Sequence, residues 1–230
     1  MNTITTPRPM LRQRVQPYLL VVPFTAVITG WFNLSEAMPA PFAVVVGAAW
    51  GVLLGLLVGW MKRRTRWDSP MEDITVASGI VAVAFAACGG LAFLMAFDGA
   101  LDAESLTGEA LHALFMPAIP YYIVANGVLE MLIMPLMLYL GWRPGRRRIL
   151  IVAAATIYFV MRVWTYLVFV PARLGWAEGE GATNALTPSE RLQAAEDLML
   201  NDPRWIVLLV ILGLLLLAMQ MPASKTTRVR

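Results

Sequence analysis

The chain has 230 residues, of which 59% are hydrophobic and only 14% charged, with a mean hydropathy of +0.66 and a formal net charge of +3. Soluble domains carry about 25% charged residues, so a water-soluble globule is excluded and an integral membrane protein, partnered by the lipid bilayer, is expected. The small positive charge requires no nucleic-acid partner, because basic clusters beside membrane helices serve orientation and contact with anionic headgroups.

Six apolar stretches follow in order, over residues 18–34, 42–60, 74–97, 120–140, 149–170 and 205–221. About 20 apolar residues suffice to cross a bilayer as a helix, and the ten-residue alternation of an outer-membrane barrel is missing. The expectation is an all-α polytopic bundle of six transmembrane helices in a single domain. Lys and Arg collect on the cytoplasmic side of membranes. Arg8, Arg12 and Arg14 precede the first stretch, Lys62, Arg63, Arg64 and Arg66 follow the second, and Arg143, Arg146, Arg147 and Arg148 lie between the fourth and fifth. Lys225, Arg228 and Arg230 close the chain. Six spans with both termini cytoplasmic put all of these on one side, and leave the acidic loops at residues 98–119 and 171–204 on the other. The expected setting is a multi-pass cell membrane, of the bacterial inner-membrane type.

The first stretch begins like a signal peptide, but the following NLSEAMPAP has no clear small-x-small cleavage site, and removing it spoils the charge pattern. It is read as a retained span, bent at Pro23 and ending at an interfacial turn with Asn33, Ser35 and Glu36. The second stretch carries Gly47, Gly51, Gly55 and Gly59, and the third answers with Ser78, Ala82, Ala86 and Gly90 at the same interval. Rows of small residues let helix backbones approach closely in lipid, so this hairpin is expected to pack on itself. The alternative is that the glycine row is an interface to a second copy or a partner membrane subunit.

Between the third and fourth stretches, Leu106, Ala110, Leu111 and Leu114 mark a short amphipathic helix, and His112 on it reads as a surface residue. Near the middle of the fourth stretch lies Glu130, and near the middle of the fifth lies Arg162. Counted from Pro144 at the turn between them, Glu130 is 14 residues back and Arg162 is 18 forward, a depth difference of roughly 6 Å at 1.5 Å per residue. Long side chains close such a gap. Tyr122 and Asn126 precede Glu130 at four-residue intervals, and Tyr158 and Tyr166 flank Arg162 likewise, so each set shares a helix face. Pro135 lacks an N–H, which leaves the Met131 carbonyl without its helical donor. A charge at mid-membrane costs about 2.5–3.5 kcal/mol on insertion scales, so such groups turn inward and find partners. Glu130, Arg162, Asn126, Tyr122, Tyr158 and Tyr166 are therefore the candidate ligand-binding residues; a purely structural Glu-Arg lock between two helices is the competing reading.

In the second outer loop, Thr187-Pro188-Ser189-Glu190 is a capping-box signature, starting a helix expected over the outer mouth of the bundle. Asp202-Pro203 provides an N-cap and first-turn proline for the last helix. One His112 and one Cys88 cannot supply bis-His haem ligation, a thiolate cluster, a redox Cys pair or a His-rich metal site, so no cofactor and no metal site is expected, and Cys88 can form no intrachain disulfide.

The segment MRVWTYLVFVPARL, with Arg162, Thr165 and Tyr166 in an Arg-x-x-Thr-Tyr run and Pro171 at the helix end, leads through LTPSERLQAAEDLMLNDPRW to a terminal span. Over about residues 120–221 this resembles small bacterial membrane proteins related to anthrone oxygenases. The resemblance implies a class of helical architecture more than a reaction, and the two added N-terminal helices depart from that family's four-helix pattern.

Three functions fit these residues. The leading expectation is a protein that binds an apolar or amphipathic lipid-like molecule at the polar site between the fourth, fifth and first helices, in transport or sensing. The second is an enzyme acting on a lipid-soluble aromatic or quinone-like substrate, with Glu130 as general acid or base. The third is a structural or assembly subunit of a larger membrane complex.

Overall fold

A computed structural model describes residues 8–32, 39–64, 68–169, 183–198 and 202–222. The predicted turn with Asn33, Ser35 and Glu36, the first half of the second outer loop and the basic C-terminal tail lie outside the described residues. The elements are α1 (Arg8–Phe32), α2 (Ala40–Arg64), α3 (Asp68–Leu101), α4 (Gly108–Phe115) and α5 (Ala118–Val128), a π turn over Leu129–Ile133, and α6 (Met134–Leu140). They continue with α7 (Arg146–Trp164), a second π turn over Thr165–Phe169, α8 (Pro188–Asp197) and α9 (Arg204–Gln220). No strand occurs among the described residues; the nearest thing is an isolated antiparallel bridge between Thr107 and Ala185.

Four helical runs are long and apolar enough to cross a membrane: Ala40–Arg63, Pro70–Leu101, Gly108–Leu140 and Arg146–Phe169. The apolar parts of the first and last helices, Gln16–Gly30 and Arg204–Gln220, are shorter. The outer surface matches this reading, since Val81 is 68% exposed and Leu19 and Met95 are each 67% exposed. Soluble monomers rarely present large apolar patches.

The glycine row packs differently from the expectation. Added Cβ atoms at Gly47, Gly51 and Gly55 would meet Thr29 Oγ1 at 2.5 Å, Thr25 Oγ1 at 2.5 Å and the Tyr18 ring, all on α1. The tight hairpin is therefore α1 with α2, and α3 packs on α9, α5 and α6 instead. Helical pitch explains why the two small-residue rows fail to mate. Every fourth residue overshoots one 3.6-residue turn by about 40°, so a row of four such positions swings by about 120°. Gly59 accordingly has nothing within 4 Å. On α3, Ser78 is exposed, whereas Ala86 is buried. Thr25 and Thr29 return their hydroxyls to the Val21 and Thr25 carbonyls at 3.0 and 2.7 Å, so neither brings an unsatisfied donor into the seam.

At the arginine-rich end, Gly145 has φ 153° and ψ 170°, a conformation that suits glycine, and it turns the chain from α6 into α7. Lys62 Nζ donates to the Tyr139 carbonyl at 2.8 Å, a cation at the end of α6 where helix carbonyls lack partners. At the other end α4 and α8 pack together, with Leu111, Phe115, Ala194 and Leu198 closing over Phe97 of α3. Leu186 N–H donates to the Leu106 carbonyl at 2.8 Å. The predicted capping box is present: Thr187 accepts from Glu190 N–H, and Glu190 accepts from Thr187 N–H at 2.7 Å. The predicted amphipathic helix starts at its own cap, Thr107, which accepts from Ala110 N–H at 3.1 Å. His112 lies half-buried on α4.

Candidate functional site

The site starts with the backbone of the fourth span. Proline at 135 removes one helical donor, and the chain widens into the π turn Leu129–Ile133 just before it. The Met131 carbonyl finds another donor: Trp50 Nε1–H of α2 approaches it at 2.6 Å. A π turn shifts the register of the side chains around it, and Glu130 sits within this one, completely enclosed.

Three side chains converge on that carboxylate. Arg162 Nε–H donates to Oε1. Tyr158 Oη–H donates to the same oxygen at 3.3 Å, and Tyr166 Oη–H donates to Oε2 at 3.1 Å. The guanidinium carbon of Arg162 lies 4.6 Å from the centroid of the Tyr166 ring, a cation-π arrangement that adds to the ion pair. Tyr158 is fully buried, and Arg162 and Tyr166 are each 5% exposed. The three-member ladder, on α7 and the π turn that follows it, thus folds onto one carboxylate, and the depth difference is bridged by the length of the arginine.

Tyr122 and Asn126 do not reach Glu130. They face Arg162 across a small cavity of about 40 Å³, whose other walls are Ala86, Gly90 and Leu94 of α3 together with Met161 of α7. Asp202, Arg204, Trp205 and Leu208 close it from the start of α9. A space of about 10–15 Å³ is enough for one water, so this cavity has room for a small group. It lies among the third, fourth, fifth and sixth apolar helices. The first helix does not line this cavity; α1 packs on the π turn that carries Glu130, with Thr29 Oγ1 3.8 Å from Met131 Sδ, and on α7 through Phe24 against Phe159, ring centroids 5.3 Å apart.

Arg204 and Thr165 lie outside the predicted site residues. Arg204 Nε donates to Asp202 Oδ2 at 2.7 Å, and Nη1 reaches Thr165 Oγ1 at 3.4 Å. Asp202 Oδ1 also accepts the Arg204 backbone N–H at 3.0 Å, and the helix starts one residue later than predicted, with Pro203 rather than Asp202 at the cap position. A groove of about 510 Å³ runs along α7 and α9 between Thr156, Ile157, Val160 and Trp164 on one side and Pro203 and Val207 on the other. Met161 and Arg204 line both groove and cavity. Small-molecule sites are typically apolar clefts of about 300–1,000 Å³ with a few placed polar groups, and groove plus cavity has that composition.

A second buried charge cluster was also missed. Arg147, 4% exposed, contacts Glu72 Oε1 through Nε at 2.9 Å and Asp73 Oδ1 through Nη1 at 2.6 Å. Nη1 also donates to the Met221 carbonyl at 3.2 Å, tying the end of α9 to the starts of α3 and α7. The Nε approach satisfies the distance of an ion pair but not the direction of a hydrogen bond. It is best described as a charge contact. The carboxylates also offset the charge of Arg147 at a helix N-terminus, where the macrodipole disfavours cations. The available signal was that Glu72 and Asp73 are acids within the basic side of the charge pattern.

Among the described residues no group of three or more His, Cys, Asp or Glu side chains is arranged to hold a metal ion. The architecture is that of an all-helical bundle with membrane-length apolar helices and buried ion pairs. No family model, curated protein or solved structure matches the chain.

Proposed function

We propose that the protein is embedded in a cell membrane with six spans and both termini on its arginine-rich, cytoplasmic side, and that it binds a lipid-soluble molecule with a small polar end. The apolar body would lie in the groove between α7 and α9, and the polar end would enter the cavity beside Arg162, Tyr122 and Asn126. The observation that carries this reading is that groove and cavity lie side by side, with Met161 and Arg204 as shared wall residues. A guanidinium has five N–H donors, more than the Glu130 and Tyr166 contacts use, and Asn126 adds a donor and an acceptor. Because Arg162 and Arg204 are each balanced by a carboxylate, a carbonyl or hydroxyl suits the cavity better than a full negative charge.

The test is extraction and mass spectrometry of the protein purified in a mild detergent, compared with Gly90→Leu. A Cβ at Gly90 meets only the Tyr122 hydroxyl, at 4.0 Å, so the larger side chain enters the cavity from its α3 wall and fills it. Wild type should release a defined lipid-soluble compound, and Gly90→Leu should lose it while keeping its helical content. Retention unchanged in Gly90→Leu overturns the reading.

A structural lock is the second reading, favoured by the complete satisfaction of Glu130 by three donors. In that case the substitutions of the pair described below change stability alone.

A further inference from the structure

A second groove, of about 650 Å³, lies at the opposite, arginine-rich end between α1 and α7. Its walls are Leu19 and Leu20 of α1 and Ile149, Val152 and Ala153 of α7. Leu19 is 67% exposed and Ile149 64% exposed, so the apolar channel lies open on the outside of the bundle. Its polar end is built from three side chains. Trp142 Nε1–H donates to Gln16 Oε1 at 3.4 Å, and the Arg148 guanidinium carbon lies 5.6 Å from the centroid of the Trp142 ring.

Arg148 is placed unlike three other arginines of the bundle. Arg147, Arg162 and Arg204 each hold a carboxylate. Among the described residues no carboxylate pairs with Arg148; its described partner is the indole face of Trp142. Among the described residues its charge is therefore not met by a carboxylate at the mouth of an apolar channel, and Arg146 and Arg143 lie two and five residues before it. An indole prefers the level of lipid headgroups, where one part of the ring system is wet and the rest is apolar, and an arginine matches phosphate oxygens in planar, paired geometry.

We infer that this groove is a specific site for one anionic glycerophospholipid of the arginine-rich leaflet. An acyl chain lies along Leu19, Leu20, Ile149 and Val152, and the phosphate sits against Arg148, with the Gln16 amide as a further donor. A zwitterionic lipid brings its own cation to a site that already holds an unpaired one, which sets the selectivity. A free phosphate gains nothing from the apolar channel. This site lies apart from the Glu130 cluster and does not rest on the function proposed for it.

The test uses the full chain in nanodiscs of equal parts phosphatidylglycerol and phosphatidylcholine, followed by native mass spectrometry of lipids retained after detergent release. One juxtamembrane cation changes anionic-lipid affinity by about fivefold. Wild type should retain one phosphatidylglycerol in preference to phosphatidylcholine. Arg148→Gln should reduce that preference about fivefold, Arg148→Lys should restore part of it, and Ala153→Phe, which blocks the channel, should release both lipids. Arg146→Gln removes the same charge from an exposed position outside the groove and should leave the preference intact. The inference is overturned if Arg146→Gln acts as strongly as Arg148→Gln, because general attraction to an anionic surface then explains the selectivity. It is equally overturned if Ala153→Phe retains the lipid, or if inorganic phosphate alone displaces it.

Discussion

Separating the Glu130–Arg162 pair one partner at a time should reveal how dry its surroundings are. Glu130 is fully enclosed and Arg162 is 5% exposed, so either single change strands a charge away from water, which costs about 3–5 kcal/mol. Glu130→Gln leaves a guanidinium with no counter-charge and belongs at the upper end. Arg162→Gln leaves a carboxylate still held by the Tyr158 and Tyr166 hydroxyls and belongs at the lower end. In Glu130→Gln/Arg162→Gln no net charge is buried, and an amide oxygen remains for the tyrosines. The double variant should therefore lose only about 1–3 kcal/mol through imperfect hydrogen bonding. The coupling energy in the resulting cycle should be at least about 3 kcal/mol, well above the average of about 0.6 kcal/mol measured between membrane helices for polar contacts. The assay is SDS titration of the four proteins from mild detergent, followed by tryptophan fluorescence. Single variants that each lose less than about 1 kcal/mol, or a double variant equal to the sum of the singles, would refute a dry pair of this kind. In the same proteins the double change should restore folding without restoring retention of the lipid-soluble compound; equal recovery of both removes the ligand-site reading.

The α1–α2 seam predicts opposite outcomes at two glycines of one row. Gly51→Ala places a methyl 2.5 Å from Thr25 Oγ1 and 3.2 Å from Val22 Cα, and should cost about 1–3 kcal/mol by overpacking; Gly59→Ala meets nothing and should be neutral or stabilising by about 0.5–1 kcal/mol, both read from thermal unfolding in detergent. Trp50→Phe removes the donor to the Met131 carbonyl and should lower stability by about 1–3 kcal/mol, with faster amide exchange across residues 129–135; no change there contradicts the role given to the indole. The α8 capping box should be pH-sensitive. Hydrogen bonds from the Thr187 hydroxyl and backbone N–H hold the Glu190 carboxyl below its ordinary value of 4.5, so the carboxylate's contribution is present in full above that value and lost as pH falls through the depressed one. Exchange protection over residues 188–197, corrected for intrinsic rates, should drop on acidification in wild type, and Glu190→Gln should flatten that dependence.

Much of this architecture was legible because lipid imposes simple rules. Apolar runs of sufficient length located every long helix, and Thr187 with Glu190 marked α8 through a local signal that needs no tertiary information. Glu130 and Arg162 stood out because a charge inside an apolar run must find a partner, and their distances from Pro144 already put them within one turn in depth. Packing partners were less legible. An every-fourth row drifts around its helix, so Gly47 through Gly59 indicated a close approach without saying to which neighbour, and α1 took the place assigned to α3. The same drift separates Tyr122 from Glu130, whereas the long side chains of Tyr158, Arg162 and Tyr166 converge despite it. Arg147 and Arg204 were hidden by their positions at helix ends, where arginine is ordinary. Their buried carboxylate partners come from other elements or from a turn, and hydropathy does not report such pairings.

A density map of the protein in a lipid nanodisc, at a resolution that separates side chains, tests the central claim most directly. It should place the Arg162 guanidinium on the Glu130 carboxylate, with Tyr158 and Tyr166 bonded to the same group, and elongated density running from the groove between α7 and α9 into the cavity at Gly90 and Asn126. Two charges on separate helix faces, or a cavity closed by the protein's own side chains with no density leading to it, would contradict the account.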